Sequence, residues 1–148
     1  MIHFKELNEN NYRECMRLKV KEHQLEFVSQ GNYISLAKAF IFKETTFPYA
    51  IYIDNTMVGY IQYRNMELLG NYLLEKIMID AKYQGKGYAS QSMEKLIKEL
   101  KKENKYQKLR LCVHKDNKDA IKLYHKFGFS LCNDEEEEEG EIVLGIVW

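Results

Sequence analysis

Residues Gln84-Gly85-Lys86-Gly87-Tyr88-Ala89 set a lysine between two glycines at the mouth of a helical stretch. Before them, Leu73 to Ile79 is apolar enough to be a strand; after them, Ser90 to Lys102 has helical periodicity. Strand, glycine turn and helix together make an anion site. The first helical turn has backbone N–H groups without partners, and the helix dipole favours negative charge there. Gly85 and Gly87 let the backbone approach a phosphate, and Lys86 adds a positive charge. No Gly-Lys-Ser/Thr follows four intervening residues, so this is not a P-loop, and the third glycine of the dinucleotide fingerprint is missing. Upstream, Glu75 stands in a stretch of largely apolar neighbours. A buried carboxylate needs a partner or a task. Either a lysine or arginine on a neighbouring strand pairs with it, or it handles protons or a cation.

These residues need elements to position them, and the chain supplies strands and helices in alternation. Ile2 to Leu7 is a short strand, and Asn10 or Asn11 can cap a helix reaching about Val20 through Tyr12, Cys15, Met16 and Leu18. A second helix covers Ile34 to Phe42, with Leu36, Ala37, Phe40 and Ile41 on one side. Tyr49 to Asp54 and Met57 to Arg64 form a hairpin around Asp54-Asn55. Tyr72 to Ile79 follows in antiparallel fashion if Gly70-Asn71 turns the chain. The helix Ser90 to Lys102 carries Met93, Leu96, Ile97 and Leu100 on one face, and the strand Leu109 to Val113 after that crossover should run parallel to the strand before the glycine turn. Asn117 caps a last helix ended by Gly128, and Phe129 to Cys132 and Ile142 to Val147 close the sheet. The expected order is β-α-α-β-β-β-α-β-α-β-β.

Gln-x-x-Gly-x-Gly/Ala is the pyrophosphate signature of the GCN5-related N-acetyltransferases, and Gln84 to Ala89 resembles it, with Gly87 as its first glycine and Ala89 in the last place. A second block, Asn117-Lys118-Asp119-Ala120-Ile121-Lys122-Leu123-Tyr124-His125-Lys126-Phe127-Gly128-Phe129, resembles the same family's N-x-x-A-x-x-x-Y-x-x-x-G-F pattern, in the family's order. The resemblance is specific over the C-terminal half; the N-terminal half matches only in its order of elements. It implies one α/β (α+β) domain over residues 1–148. Its sheet would have about seven mostly antiparallel strands, splayed between the fourth and fifth, with about four helices.

The resemblance also implies a chemistry. Acetyl-coenzyme A would lay its pantetheine arm along the backbone of Ile77, Met78 and Ile79, with Gln84, Gly85, Lys86, Gly87, Tyr88, Ala89 and Ser90 around the pyrophosphate. Asn117 bonds the pantetheine, caps its helix, or does both. Tyr124, two turns further along that helix, is where the family carries a tyrosine near the coenzyme sulfur. A phenol with a pKa of about 10 can protonate a leaving thiolate whose acid is near 8.5. Leu74-Glu75 followed by Ile79, Tyr83 and Gly85 resembles the bacterial spermidine/spermine branch, in which an acid at this place accepts the amine's proton directly or through water. His23 to Val28 looks like the segment after the first helix in those enzymes. Glu22 and Glu26 there could meet a cationic amine or simply be solvated, and Tyr33, Phe42, Phe47 and Tyr49 could line a pocket or pack. The implied reaction is direct acetyl transfer to a primary amine, a polyamine foremost. An amino acid, aminoglycoside or protein amine is the alternative acceptor, and an acetyl-coenzyme A sensor with little turnover is the alternative class. A homodimer is left open.

Charge and composition restrict partners. Lys plus Arg equals Asp plus Glu at 22 each, which offers no case for nucleic acid or a membrane surface. No apolar run is long enough to span a bilayer, and the first residues lack a signal-peptide core, so a cytoplasmic location is expected. His3, His23, His114 and His125 show no zinc spacing, and no metal is expected. Cys15, Cys112 and Cys132 read as reduced, buried thiols; an acetyl-thioester on Cys112 is the weaker reading. Asp134 to Glu141 holds seven acids in eight positions. It is either a solvated hairpin or a collector for a polycation.

Overall fold

The computed structural model describes residues 1–28, 31–132 and 139–148. Seven strands form one sheet: β1 (Ile2–Glu6), β2 (Thr46–Ile53), β3 (Thr56–Met66), β4 (Asn71–Ile79), β5 (Lys108–His114), β6 (Ser130–Leu131) and β7 (Glu141–Val147). Their spatial order is β1-β2-β3-β4-β5-β7-β6, and every neighbour is antiparallel except β4 and β5. That one parallel pair follows from α3 (Tyr88–Glu103), which carries the chain back across the sheet between them. The other helices are α1 (Tyr12–Arg17), α2 (Tyr33–Ile41) and α4 (Lys118–Lys126). The expected element order, parallel pair and mostly antiparallel sheet are all present.

The sheet is covered on both faces. On one, the expected stripe Met93, Leu96, Ile97 and Leu100 of α3 packs with Leu74, Leu109, Leu111 and Tyr124. Burying each such aliphatic side chain contributes roughly 1.5–3 kcal/mol. On the other, Cys15 and Leu18 cover Ala50, Tyr52, Tyr60 and Met78. One expectation needs correction. The first helix ends at Arg17 rather than about Val20, because Leu18 is already extended, at φ −60° and ψ 138°. Leu36, Ala37, Phe40 and Ile41 do share one side of α2, but that side is largely turned outward: Phe40 is 72 % and Ile41 70 % exposed, while Ala39 is buried. The helix lies over β2 by a narrower stripe than its composition suggests. Among the described residues, no helix is long and apolar enough to cross a membrane. The acidic run lies outside the described residues from Asp134 to Glu138.

The sheet's main irregularity lies on β4. Gln62 pairs with Lys76, but the next residue, Tyr63, pairs with Leu74. Glu75 is therefore the extra residue of a bulge, which bends its strand and re-aims the side chain. On the opposite edge, β4 pairs with β5 only at Tyr72–Leu74 against Leu109–Leu111. Bulge and splay begin at the same residue.

Candidate active site

The glycine turn follows directly from its strand. Asp80 caps a single 3₁₀ turn, Ala81–Tyr83, its Oδ1 accepting from Lys82 N at 3.0 Å while Oδ2 accepts from Lys19 N at 2.9 Å. Gly85 and Gly87 then adopt φ +78° and +82°, in the left-handed region that favours glycine. A β-carbon at Gly85 would project into open space, and one at Gly87 would meet only Gln91 Nε2, at 3.8 Å. Backbone conformation, rather than protein packing, selects glycine here, and the room beside it remains available. Helix α3 starts at Tyr88, two residues before the expected Ser90, with no side chain capping it. Its first-turn N–H groups face the turn, which suits a pyrophosphate.

Gln84 has work of its own. Its Nε2 donates to Ile79 O at 2.8 Å and to Gln24 Oε1 at 2.9 Å, while Gln24 Nε2 donates to Gln84 Oε1 at 3.1 Å. The paired amides tie the turn to the end of β4 and to a 3₁₀ turn at Glu22–Glu26. Ile77, Met78, Ile79, Gln84, Gly85, Gly87, Tyr88, Ala89, Ser90, Asn117 and Tyr124 all line one groove of about 390 Å³. Lys86 does not; it is exposed, with Nζ 6.0 Å from the Tyr83 ring centroid. Ser90 Oγ accepts from Lys126 Nζ at 3.0 Å, which brings a second ammonium to the helix start. Glycines in the left-handed region, open space where β-carbons would stand, an uncapped helix start and nearby ammonium groups suit a pyrophosphate. From Glu75 to Ile79, β4 pairs with β3 on one edge only, so the other edge can bond an extended ligand.

A second cavity, of about 410 Å³, opens on the far side of the splay. Glu75, Lys38, Cys112, His114 and Glu141 line it, and Val28, Ile77, Asn117 and Tyr124 line both this cavity and the groove. Tyr124 therefore stands where the two meet. It is 8 % exposed, and burial pushes its phenol up to about 12. It holds its proton through the neutral range, as a proton donor must. Asn117 Oδ1 accepts from Ala120 N at 3.3 Å, capping α4 while still lining both spaces.

Glu75 lies on the rim opposite. Its side chain is 6 % exposed, and its partner is Lys38 of α2, Nζ to Oε2 2.5 Å, rather than a residue of a neighbouring strand. Gln62 Nε2 donates to the other oxygen at 3.2 Å. Gln62 is fully buried and accepts a short hydrogen bond from the Tyr60 hydroxyl. The carboxylate is thus held on one side by a rigid buried chain.

The remaining candidates divide. Glu22 lines a separate space of about 200 Å³ with Lys19, Asn32 and Lys76, and Glu26 is exposed and lines neither site cavity. Tyr33 and Phe42 are exposed, Phe47 stacks on Tyr63 at 4.9 Å, and Tyr49 packs against the core. Cys15 and Cys132 are buried as expected, but Cys112 is exposed. The correction follows from the splay, since β4 no longer covers β5 beyond Leu111. Lys38, Gln62, Gln24 and His114 were not singled out from the sequence. His114 faces the second cavity, its Nδ1 accepting from Asp116 N at 3.1 Å and its ring 5.1 Å from Phe27. No group of three or more potential metal ligands occurs among the described residues.

Comparison with known proteins agrees with this geometry. The model of the acetyltransferase (GNAT) family matches residues 8–129. The spermine/spermidine N(1)-acetyltransferase of Bacillus subtilis is 28 % identical over 97 % of this chain and 96 % of its own. The spermidine N-acetyltransferase of Vibrio cholerae, solved with CoA and spermine, superposes with a TM-score of 0.75 at 16 % identity, covering 99 % and 95 % of the two chains. The ribosomal-protein-S18-alanine N-acetyltransferase of Escherichia coli does so with a TM-score of 0.74 at 20 % identity, covering 99 % and 94 %. With the family model spanning most of the sequence, the chain belongs to the GNAT family of N-acetyltransferases.

Proposed function

We propose that this acetyltransferase moves acetyl from acetyl-coenzyme A to a primary amine by direct attack, and that the amine is a polyamine such as spermidine or spermine. The observation that carries the reading is the junction at Tyr124, where a groove fit for a pyrophosphate and an extended arm meets a cavity holding a buried carboxylate. In this reading the donor lies along the open edge of Ile77 to Ile79. Its pyrophosphate rests on the backbone of Gly85 to Ser90, with the ammonium groups of Lys86 and Lys126 nearby. The acceptor's ammonium enters from the Glu75 side and gives a proton to that carboxylate, directly or through water. This step is needed because an alkyl ammonium, with a pKa near about 10, has no nucleophilic lone pair. The free amine attacks the thioester carbon, the C–S bond breaks, the thiolate takes the Tyr124 proton, and the second proton of the attacking nitrogen returns to the tyrosinate as the amide forms.

Two observations support a polycationic acceptor. The full-length relative acts, by its name, on spermine and spermidine. The acceptor cavity also carries Glu75 and Glu141, with an acid run leading into the latter. Glu22, in its neighbouring space, is a candidate for a distal ammonium; Glu26 is more remote.

The test is a panel of amines assayed for coenzyme A release. Spermidine and spermine should exceed neutral-bodied monoamines in kcat/KM. The advantage should shrink with salt, because charges about 10 Å apart are largely screened at 0.1 M. Glu75→Gln should cost about 10²-fold or more in kcat. If polyamines show no advantage at low salt, the acceptor belongs among amino acids, aminoglycosides or protein amines. If no amine is turned over while acetyl-coenzyme A binds, the protein is a sensor.

A further inference from the structure

The Glu75 carboxylate already has an alkyl ammonium against it, and that ammonium belongs to the protein. Lys38 Nζ lies 2.5 Å from Oε2. Lysine's ε-ammonium is a primary amine on a four-carbon stem, the same chemical group as the end of a polyamine. The two partners of Glu75 differ in how firmly they are held. Gln62, on Oε1, is fully buried and itself bonded by Tyr60, so it has nowhere to go. Lys38 has a 46 % exposed side chain on the last turn of α2, whose outer face is in water. A swing of its stem would place the ammonium in solvent and leave Oε2 open to the cavity that both residues line.

We propose that Lys38 is an internal stand-in for the acceptor's ammonium, occupying its seat on Glu75 until the substrate displaces it. The inference rests on Glu75 being the acceptor-side carboxylate, as proposed above. It assigns Lys38 a role in positioning and selection, not in the bond-making steps. The physical reason for such a stand-in is desolvation. A carboxylate with 6 % of its side chain exposed is costly to leave without a cation. Exchange of one ammonium for another gives the carboxylate a cation both before and after binding, so neither end state holds an uncompensated buried charge. The exchange also selects. A neutral compound cannot replace Lys38 without breaking the ion pair. A cation can, and one with further positive charges to place elsewhere competes better.

The test is Lys38→Met, which keeps the length of the stem and removes the charge. Glu75 then lacks its cation, and the substrate alone restores the pair. KM for spermidine should fall about fivefold, the upper scale of a partly exposed ion pair, while KM for acetyl-coenzyme A stays unchanged. Lys38→Arg, which keeps a competitor in place, should not lower it. In a Glu75→Gln background, Lys38→Met should no longer change spermidine affinity. Calorimetric titration of spermidine into the coenzyme A complex reads the same effect without turnover, so a slow variant still answers. Unchanged or weaker spermidine binding by folded Lys38→Met overturns the proposal, because a purely structural ion pair would give that result. The underlying assignment fails differently: Glu75→Gln would then turn over and bind spermidine like the unsubstituted protein, whatever Lys38 does.

Discussion

The groove and the cavity that we assign to donor and acceptor share Tyr124 but are built on opposite plans. The donor side is a continuous run, from Ile77 to Ser90, that offers mainly backbone: an open strand edge, two glycines in the left-handed region and the start of α3. The acceptor side draws Lys38, Glu75, His114, Tyr124 and Glu141 from five elements and offers side chains. A site made of backbone can be kept while other residues change; a site made of side chains changes with each substitution. This fits structural relatives that share the fold while their names specify acceptors as different as spermidine and a ribosomal-protein alanine.

The strongest test of that contrast lies at the shared residue. Tyr124→Phe keeps the ring against Phe129 and removes the proton, so kcat should fall about 10²–10⁴-fold with donor affinity unchanged. Wild-type turnover in steady-state kinetics would make Tyr124 a packing residue and leave the junction without its acid. Gly87→Asp attacks the donor side alone. It adds a negative charge beside the expected pyrophosphate and a β-carbon at φ +82°, and should weaken acetyl-coenzyme A binding about tenfold, near 1.4 kcal/mol. Calorimetry on the folded variant checks this, and undiminished affinity would remove the phosphate turn from the site.

Gln24→Ala sharpens the comparison more gently, because it breaks the paired amides without touching the turn itself. Loss of hydrogen bonds worth about 1 kcal/mol should loosen donor affinity several-fold and leave selection among amines nearly as before. A change in acceptor preference with donor binding intact would mean that the two sides are less separate than their construction suggests. The smallest effect at neutral pH is expected at Cys15, buried where α1 covers the sheet. Burial pushes this thiol up to about 12, against an ordinary 9.0. A raised folded value means that the contribution is full below the unfolded value and is lost as pH climbs from about 9 toward 12. Urea midpoints should therefore decline above about pH 9, and Cys15→Ala should flatten that decline while lowering stability at neutral pH. Parallel curves for the two proteins would contradict it.

Legibility followed locality. The glycine turn, the Asn117 cap and the stripe of α3 depend on residues near one another in the chain, and all three were readable. The Lys38–Glu75 pair was not, since a helix before the first hairpin gives no sign of which strand it will cover. The exposure of Cys112 was not legible because it lines the cavity that opens where β4 leaves β5, and nothing local in the chain announces that parting. The exposure of Phe40 and Ile41 was not legible, because periodicity marks an apolar side without saying how much sheet lies under it.

By itself the sequence determined the order of elements, the glycine turn before α3, and the helix that carries Tyr124. Each arises from backbone preferences and short-range hydrogen bonds that operate within a few residues. Only the tertiary structure decided that a bulge at Glu75 coincides with the end of β4–β5 pairing. It alone decided that the carboxylate there is met by Gln62 and Lys38, and that Gln84 is clasped by Gln24. The physical reason is range: a strand's register and a side chain's partner are set by which distant surfaces fill the space beside them.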